Sequence, residues 1–355
     1  MFAFHELSFK TDKKYMNIIF FFLVLSFTLT LNYVFNKNKI FLNSTGNIHQ
    51  KFVSSEDVPL SGGIILALSA FYYLNFPNNL IFIFLTFSIF FLGFLSDINK
   101  INSPRLRLIL QILIIFGIVY FSSIVIISTK IIPLDFLLQN NIFQLFFTVF
   151  SILIIINGCN FIDGVNTSLI GYCIIISLAL CYLNSVGVEV SHLIIFYNLI
   201  PVLFVLFILN FFNKLYLGDS GSYLLGLLLS LSLIDTHQIN NDMSPFFIIC
   251  LLWYPAFENL FSILRKVQFS RSPVKPDTNH LHQLIFYYLK LFFKSNDFYL
   301  NTFTGVLINA YNLLSILFAT QFYNNTQAQI LIIFFNITVY VFIYTKLLVK
   351  KIKRF

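Results

Sequence analysis

Charge is scarce in this sequence. Only 10% of its 355 residues are Asp, Glu, Lys or Arg, against about 25% in soluble domains. Scarce charge beside abundant apolar residues excludes a soluble globular enzyme, because surface-to-volume scaling would leave too much apolar surface in water. It also excludes a disordered chain, which is poor in apolar residues. Cysteines number four (Cys159, Cys173, Cys181 and Cys250) and form no CxxC pair. That excludes a disulfide framework or a thiolate metal centre and leaves small buried hydrophobes. There is no repeat of 20–50 residues, no Pro/Gly/Ser-rich linker and no separate soluble segment. Residues 1–355 therefore read as one integral membrane domain. No small-residue cleavage site follows the first apolar run, which reads as a retained anchor rather than a signal peptide.

What is present is apolar. Hydrophobic residues make up 58% and Phe alone accounts for 47 positions. Mean hydropathy is +0.85. Lipid takes the place of a protein core in such a chain. Eleven runs are long enough to be candidate spans: 17–35, 60–76, 79–96, 108–127, 142–158, 168–184, 190–211, 222–234, 245–264, 302–320 and 327–349. They are continuous rather than alternating, so they are helices and not barrel strands. The expected fold is an all-α, polytopic transmembrane helix bundle of about eleven spans. The 222–234 span reads as short and preceded by a Gly-rich turn.

Eighteen of the 22 Lys and Arg fall in one set of alternating loops and the C-terminal end. The other side holds only Lys10, Lys13, Lys14 and Lys130. The positive-inside rule makes the first side cytoplasmic. The net charge of +8 then reflects loops facing anionic lipid headgroups rather than nucleic acid. Basic loops would equally attract an anionic substrate. The longest cytoplasmic loop is 265–301, with a short amphipathic helix expected around Leu281–Phe293.

The polar clusters gather on that same face, as in an enzyme working at a membrane surface. Gly93 to Asp97 closes the third span and is followed by Arg105 and Arg107. Asp97 there suits a metal or a proton, or is a solvated helix end. Asn157 to Asn166 includes Asn160 and Asp163, and amide groups of this kind suit the edge of a base or sugar. Asn210, Lys214 and Leu217 to Ser222 combine a hard oxygen ligand (Asp219) with helix N–H groups and a positive charge. Pro276 to Gln283 holds His280 and His282, which at i, i+2 would not share one helix face. In an extended turn both could reach one ligand. A phosphate, aided by Arg265, Lys266, Arg271 or Lys275, fits better than zinc, for which no third ligand is close. His49 and Lys51 precede Pro59 to Gly63, whose glycines also suit plain helix packing.

Together these clusters resemble the polyprenyl-phosphate N-acetylhexosamine-1-phosphate transferases, the MraY/WecA type of glycosyltransferase family 4. Five motifs occur in the family's order between His49 and His282. The resemblance implies transfer of an amino-sugar 1-phosphate from a UDP-sugar to undecaprenyl or another polyprenyl phosphate, releasing UMP. It implies Mg²⁺ (or Mn²⁺) held by Asp219 and Asp163. Asp97, Asp163, His280 and His282 would be catalytic. His49, Asn160, Asn210, Lys214 and Arg105 would bind substrate. It further implies an inner-membrane enzyme with a cytoplasmic site, surrounded by membrane lipid, initiating a surface polysaccharide such as O-antigen, and a homodimer. A non-catalytic homologue that binds lipid phosphate or nucleotide is the alternative, and a multipass transporter is a weaker one.

Three positions depart from the family pattern. Ser96 stands where relatives pair two aspartates, Asn166 stands for a second Asp, and Gln283 stands for a further His. The first Asp of the pair is a candidate base. A phosphate monoester, with a second pKa of about 6, is already largely dianionic at pH 7, so such a base is dispensable.

Overall fold

A computed structural model describes residues 2–42, 58–73, 80–268, 279–293 and 295–352. These residues form thirteen helices in chain order: α1 (Phe2–Asn38), α2 (Gly62–Tyr73), α3 (Leu80–Asp97), α4 (Pro104–Ser122), α5 (Ile132–Leu138), α6 (Asn141–Ile162), α7 (Ser168–Ser185), α8 (Leu193–Phe211), α9 (Gly218–Ile239), α10 (Pro245–Gln268), α11 (Leu281–Phe292), α12 (Asp297–Gln321) and α13 (Thr326–Ile352). Among the described residues the only β-pairing is an isolated Leu42–Pro59 bridge. The chain is an all-α, polytopic membrane protein. Each of the eleven apolar runs overlaps a helix, although the helices of the runs 108–127 and 190–211 are shorter than expected, ending at Ser122 and starting at Leu193. Seven helices are long and apolar enough to cross a membrane, and Ile81–Asp97 and Ile195–Phe211 are shorter apolar segments. The short helix expected near Leu281–Phe293 is α11.

Local chemistry sets the helix ends. Ser103 caps α4 by accepting from Leu106 N–H at 3.4 Å, with Pro104 in the first turn. Asn140 accepts from Ile142 and Phe143 N–H at the start of α6, and Asn296 accepts from Phe298 N–H at the start of α12. Pro255 lies inside α10. It has no N–H for the carbonyl of Leu251 four residues earlier. The buried Tyr172 hydroxyl donates to that carbonyl at 2.8 Å, so a neighbouring helix supplies the missing bond, as a low-dielectric interior requires.

The main correction concerns α9. The expected turn and short span are one helix of 22 residues, and Gly218 to Ser222 is its first turn and not a loop. It is buried along nearly its whole length, from Ser220 to Ile234, and packs against α2, α3 and α6. Around it sit the pairs α6/α10, α7/α8, α7/α12 and α3/α4. Outer faces carry exposed Phe84, Phe146 and Phe334, the apolar surface that lipid covers. All four cysteines are free, and Cys159, Cys173 and Cys250 are buried, matching their expected role as small hydrophobes.

Chain direction alternates through the bundle. The C-terminal ends of α3 and α6 therefore meet the N-terminal ends of α4 and α9 at one end. The motif residues converge there.

Candidate functional site

The site is built on the start of α9. The N-cap position, Leu217, has no side chain to satisfy the first helical N–H groups. Asp97, the last residue of α3, does so from another helix. Its carboxylate accepts from Asp219 N–H at 2.8 Å, Ser220 N–H at 3.1 Å and the Ser220 hydroxyl at 2.7 Å. Gly218 makes room for this contact. Its φ is +76°, and a Cβ there would lie 2.7 Å from Asp97 Oδ2. Gly63 and Gly93 face Ser220 so closely that a Cβ on either would overlap it. The Gly62 and Gly63 N–H groups donate to the Tyr216 and Leu217 carbonyls, each at 3.0 Å. The Gly-Gly motif therefore serves close packing beneath the site.

With its backbone held from below, the Asp219 side chain is gripped from three sides. Oδ2 accepts from Arg107 Nη1 at 2.7 Å and from the Ser96 hydroxyl at 2.6 Å; Oδ1 accepts from Asn160 Nδ2 at 2.7 Å. Arg107 also donates to Ser96 Oγ at 2.6 Å, and Asn160 to Ser222 Oγ at 3.1 Å. Ser96 thus links the cation and the carboxylate without adding a negative charge. Asp163 follows α6 as its C-cap residue. Burial, then the charges of Asp219 and Asp97, push its carboxyl well above the usual range. Burial and the Asp219 charge push Asp97 up to about 7, against the pull of its hydrogen bonds from Ser220 and Asp219.

The histidines pack on the Asp163 loop. His280 is the N-cap of α11, with φ −73° and ψ 151°, and His282 lies inside the first turn. Their rings stack at 5.6 Å between centroids and 11°. The extended cap backbone lets an i, i+2 pair face one way. Phe161 meets the His280 ring at 5.1 Å. The His282 Nε2 abuts Gly164 so closely that a Cβ there would overlap it. Burial, then the charge of His280, lowers His282 to about 4, so its ring is neutral at pH 7. Its Nδ1 is a buried polar atom with no hydrogen-bond partner among the described residues.

Other expected site residues take different places. Arg105 points to solvent, and Arg107, one helical step behind Gln111, faces the site instead. Asn210 is buried and spent on backbone, accepting from Thr167 N–H at 2.5 Å and donating to the Leu215 carbonyl at 2.9 Å. It ties the Asp163 loop to the turn before α9. Lys214 is exposed, its carbonyl accepting from Asn32 at 3.2 Å. His49, Lys51, Arg271 and Lys275 lie outside the described residues. Sequence reasoning missed two residues. Arg107 was signalled by its i, i+4 spacing to Gln111, which is buried and accepts from Asn157 Nδ2 at 3.0 Å. Glu258 was signalled by being a lone carboxylate inside an apolar run.

The donor set suits a hard divalent cation. Mg²⁺ is commonly held by one or two carboxylates together with substrate phosphates rather than by a protein cage. Among the described residues no three His, Cys, Asp or Glu groups form a cage. Asp163 and Asp219 supply carboxylate oxygens beside one another's charge, an arrangement that a cation between them relieves.

Comparison with known proteins finds relatives of one kind. Residues 79–237 match the model of glycosyl transferase family 4. The chain is 33% identical over 150 residues to the decaprenyl-phosphate N-acetylglucosaminephosphotransferase of Mycolicibacterium smegmatis, covering 36% of this chain and 37% of that one. The enzyme of the same name from Mycobacterium leprae is 31% identical over an equal length. The undecaprenyl-phosphate alpha-N-acetylglucosaminyl 1-phosphate transferase of Escherichia coli K12 is 26% identical over 246 residues, 64% of this chain and 65% of that one. The matched stretch thus spans about a third of the mycobacterial relatives, 37%, and under two thirds of the E. coli one. These matches bear out the resemblance to the polyprenyl-phosphate N-acetylhexosamine-1-phosphate transferases.

Proposed function

We propose that the chain transfers an N-acetylamino-sugar 1-phosphate from a UDP-sugar to polyprenyl phosphate at the cytoplasmic face of a bacterial inner membrane. An oxygen of the lipid phosphate attacks the sugar-bearing β-phosphorus. A new P–O bond forms, the bond to the α-phosphate oxygen breaks, and UMP leaves with that oxygen. The product, a polyprenyl-diphospho-sugar, is the kind of lipid on which a surface polysaccharide such as O-antigen is started.

One observation carries this reading. Asp219 stands on the first turn of α9, held by Arg107, Ser96 and Asn160, beside two further carboxylates with raised pKa values. Phosphoryl transfer depends on positioning and on electrostatic stabilisation, and each residue here contributes one of these. Arg107 offers a planar cation to phosphate oxygens. The start of α9 favours an anion. Asn160 fixes the direction of Asp219. Mg²⁺ or Mn²⁺, held by Asp219 and Asp163, would neutralise charge on the pyrophosphate. The stacked histidines offer ring nitrogens to the same phosphates. Ser96 in place of an acid fits a lipid phosphate that arrives already ionised and needs no base. The resemblance also supports a second copy of the chain as a partner.

The test is to incubate purified protein with undecaprenyl phosphate, Mg²⁺ and a panel of UDP-N-acetylamino sugars, and to identify the lipid product by mass. The expected result is a lipid-diphospho-sugar with one donor and matching UMP release. A folded protein that makes no such lipid with any donor would favour a binding homologue. If Ser96→Asp then restored turnover, the serine would be the cause of the silence.

A further inference from the structure

Glu258 lies inside α10, 1% exposed, and belongs to none of the motifs. A buried carboxylate is costly unless it is fully paired, and this one is paired at both oxygens. Oε1 lies 2.8 Å from His280 Nδ1 and accepts from Leu281 N–H at 3.4 Å. Oε2 accepts from the Tyr340 hydroxyl of α13 at 2.7 Å. The two oxygens thus join the start of α11 to α13.

The same contacts immobilise one ring. The His280 backbone N–H is held by Gln283 Oε1 at 3.1 Å. One face of the ring is stacked by His282 at 5.6 Å. Phe161, two residues before Asp163, packs on it at 5.1 Å. With Nδ1 committed to Glu258, the ring is held at one nitrogen as well as at its faces. Carboxylates behind functional histidines fix ring orientation and tautomer in this way.

We propose that Glu258 is a positioning residue for phosphoryl transfer: its contact with Nδ1 fixes the orientation of the His280 ring at the site. Tyr340 holds Glu258 in turn, which makes α13 part of the site's support. This rests on the phosphotransferase reading above.

The experiment measures UMP release by the full chain in detergent with UDP-N-acetylglucosamine, undecaprenyl phosphate and Mg²⁺. Glu258→Gln should lower kcat about 10- to 100-fold, the cost usual for such outer partners, with KM for the sugar nucleotide within about twofold. In a His280→Ala background the same change should have no further effect. An equal loss in both backgrounds would overturn the proposal, because Glu258 would then act independently of His280. Tyr340→Phe keeps the test alive if Glu258→Gln does not fold. It should give a smaller kcat loss that also vanishes without His280, and a loss persisting there would count against the proposal. A second readout needs no turnover: carbethoxylation of His280 by diethyl pyrocarbonate, followed by mass spectrometry. The Glu258→Gln protein should react several-fold faster at His280, and an unchanged rate would overturn the assignment. If the wild type released no UMP with any UDP-N-acetylamino sugar, the functional reading would fail while the carbethoxylation comparison still judged the Glu258–His280 pairing.

Discussion

Two pairs of carboxylates, one at each end of the bundle, are treated in opposite ways. Far from the motifs, Asp135 of α5 accepts from Thr129 N–H at 2.6 Å, the Thr129 hydroxyl at 2.7 Å and the Ser128 hydroxyl at 3.1 Å. Burial opposes its charge, but these bonds hold its pKa below the usual value. Asp235, on the same end, is hydrogen-bonded by Ser191 and lies 3.2 Å from His192 Nε2. Both of these acids have their partners within the protein. At the motif end, burial and the charge of Asp219 push Asp97 and Asp163 upward. A fold that only needed to be stable would not have gathered three carboxylates here. Clustered acids with raised pKa values mark function, and acids satisfied by local partners mark architecture.

Four changes would break or sharpen this contrast. The largest effect is expected at Arg107. Arg107→Ala should lower UMP release about 100-fold, the scale of losing one electrostatic donor in a transition state, and Arg105→Ala should stay within about twofold. Equal effects would dissolve the distinction between the two arginines. Next is pH. Asp97 and Asp163 have folded pKa values above their unfolded ones, so between pH 4 and 7 the folded state holds more protons than the unfolded one. Stability should therefore fall over that window. In chelator, the thermal midpoint should be lower at pH 8 than at pH 5, and Mg²⁺ should narrow the gap. A midpoint indifferent to both would show that the carboxylates are not in conflict.

Asn210→Ala comes third. It strands Thr167 N–H and the Leu215 carbonyl, which should cost about 1–3 kcal/mol of stability, read by chemical denaturation. A full loss of activity without loss of stability would return Asn210 to the substrate pocket. The smallest change is Asp135→Asn, which should leave UMP release unaltered and cost about 1 kcal/mol. A strong activity defect there would erase the asymmetry.

Much of this was legible in the sequence. Continuous apolar runs fixed the all-α membrane class because lipid forbids unpaired backbone. The motif order marked the residues that converge, since alternating spans bring every second loop to one side. Three features were not legible. The first turn of α9 read as a loop, because Gly and Ser are poor helix formers and its cap comes from Asp97 on another helix. The choice between Arg105 and Arg107 depended on the phase of α4, which starts at Pro104. Glu258 hid among apolar neighbours, because its partners His280 and Tyr340 are 22 and 82 residues away. Helix phase and tertiary capping come from packing, and local pattern does not carry them.

The most direct test of the central claim compares wild type with Asp219→Asn in lipid-dependent UMP release. Asp219 is the one residue that joins α9, Arg107, Ser96 and Asn160. The account predicts UMP only when undecaprenyl phosphate and Mg²⁺ are both present, and a loss of about 1,000-fold or more in Asp219→Asn at unchanged thermal midpoint. Wild-type rates retained by a folded Asp219→Asn protein would contradict it.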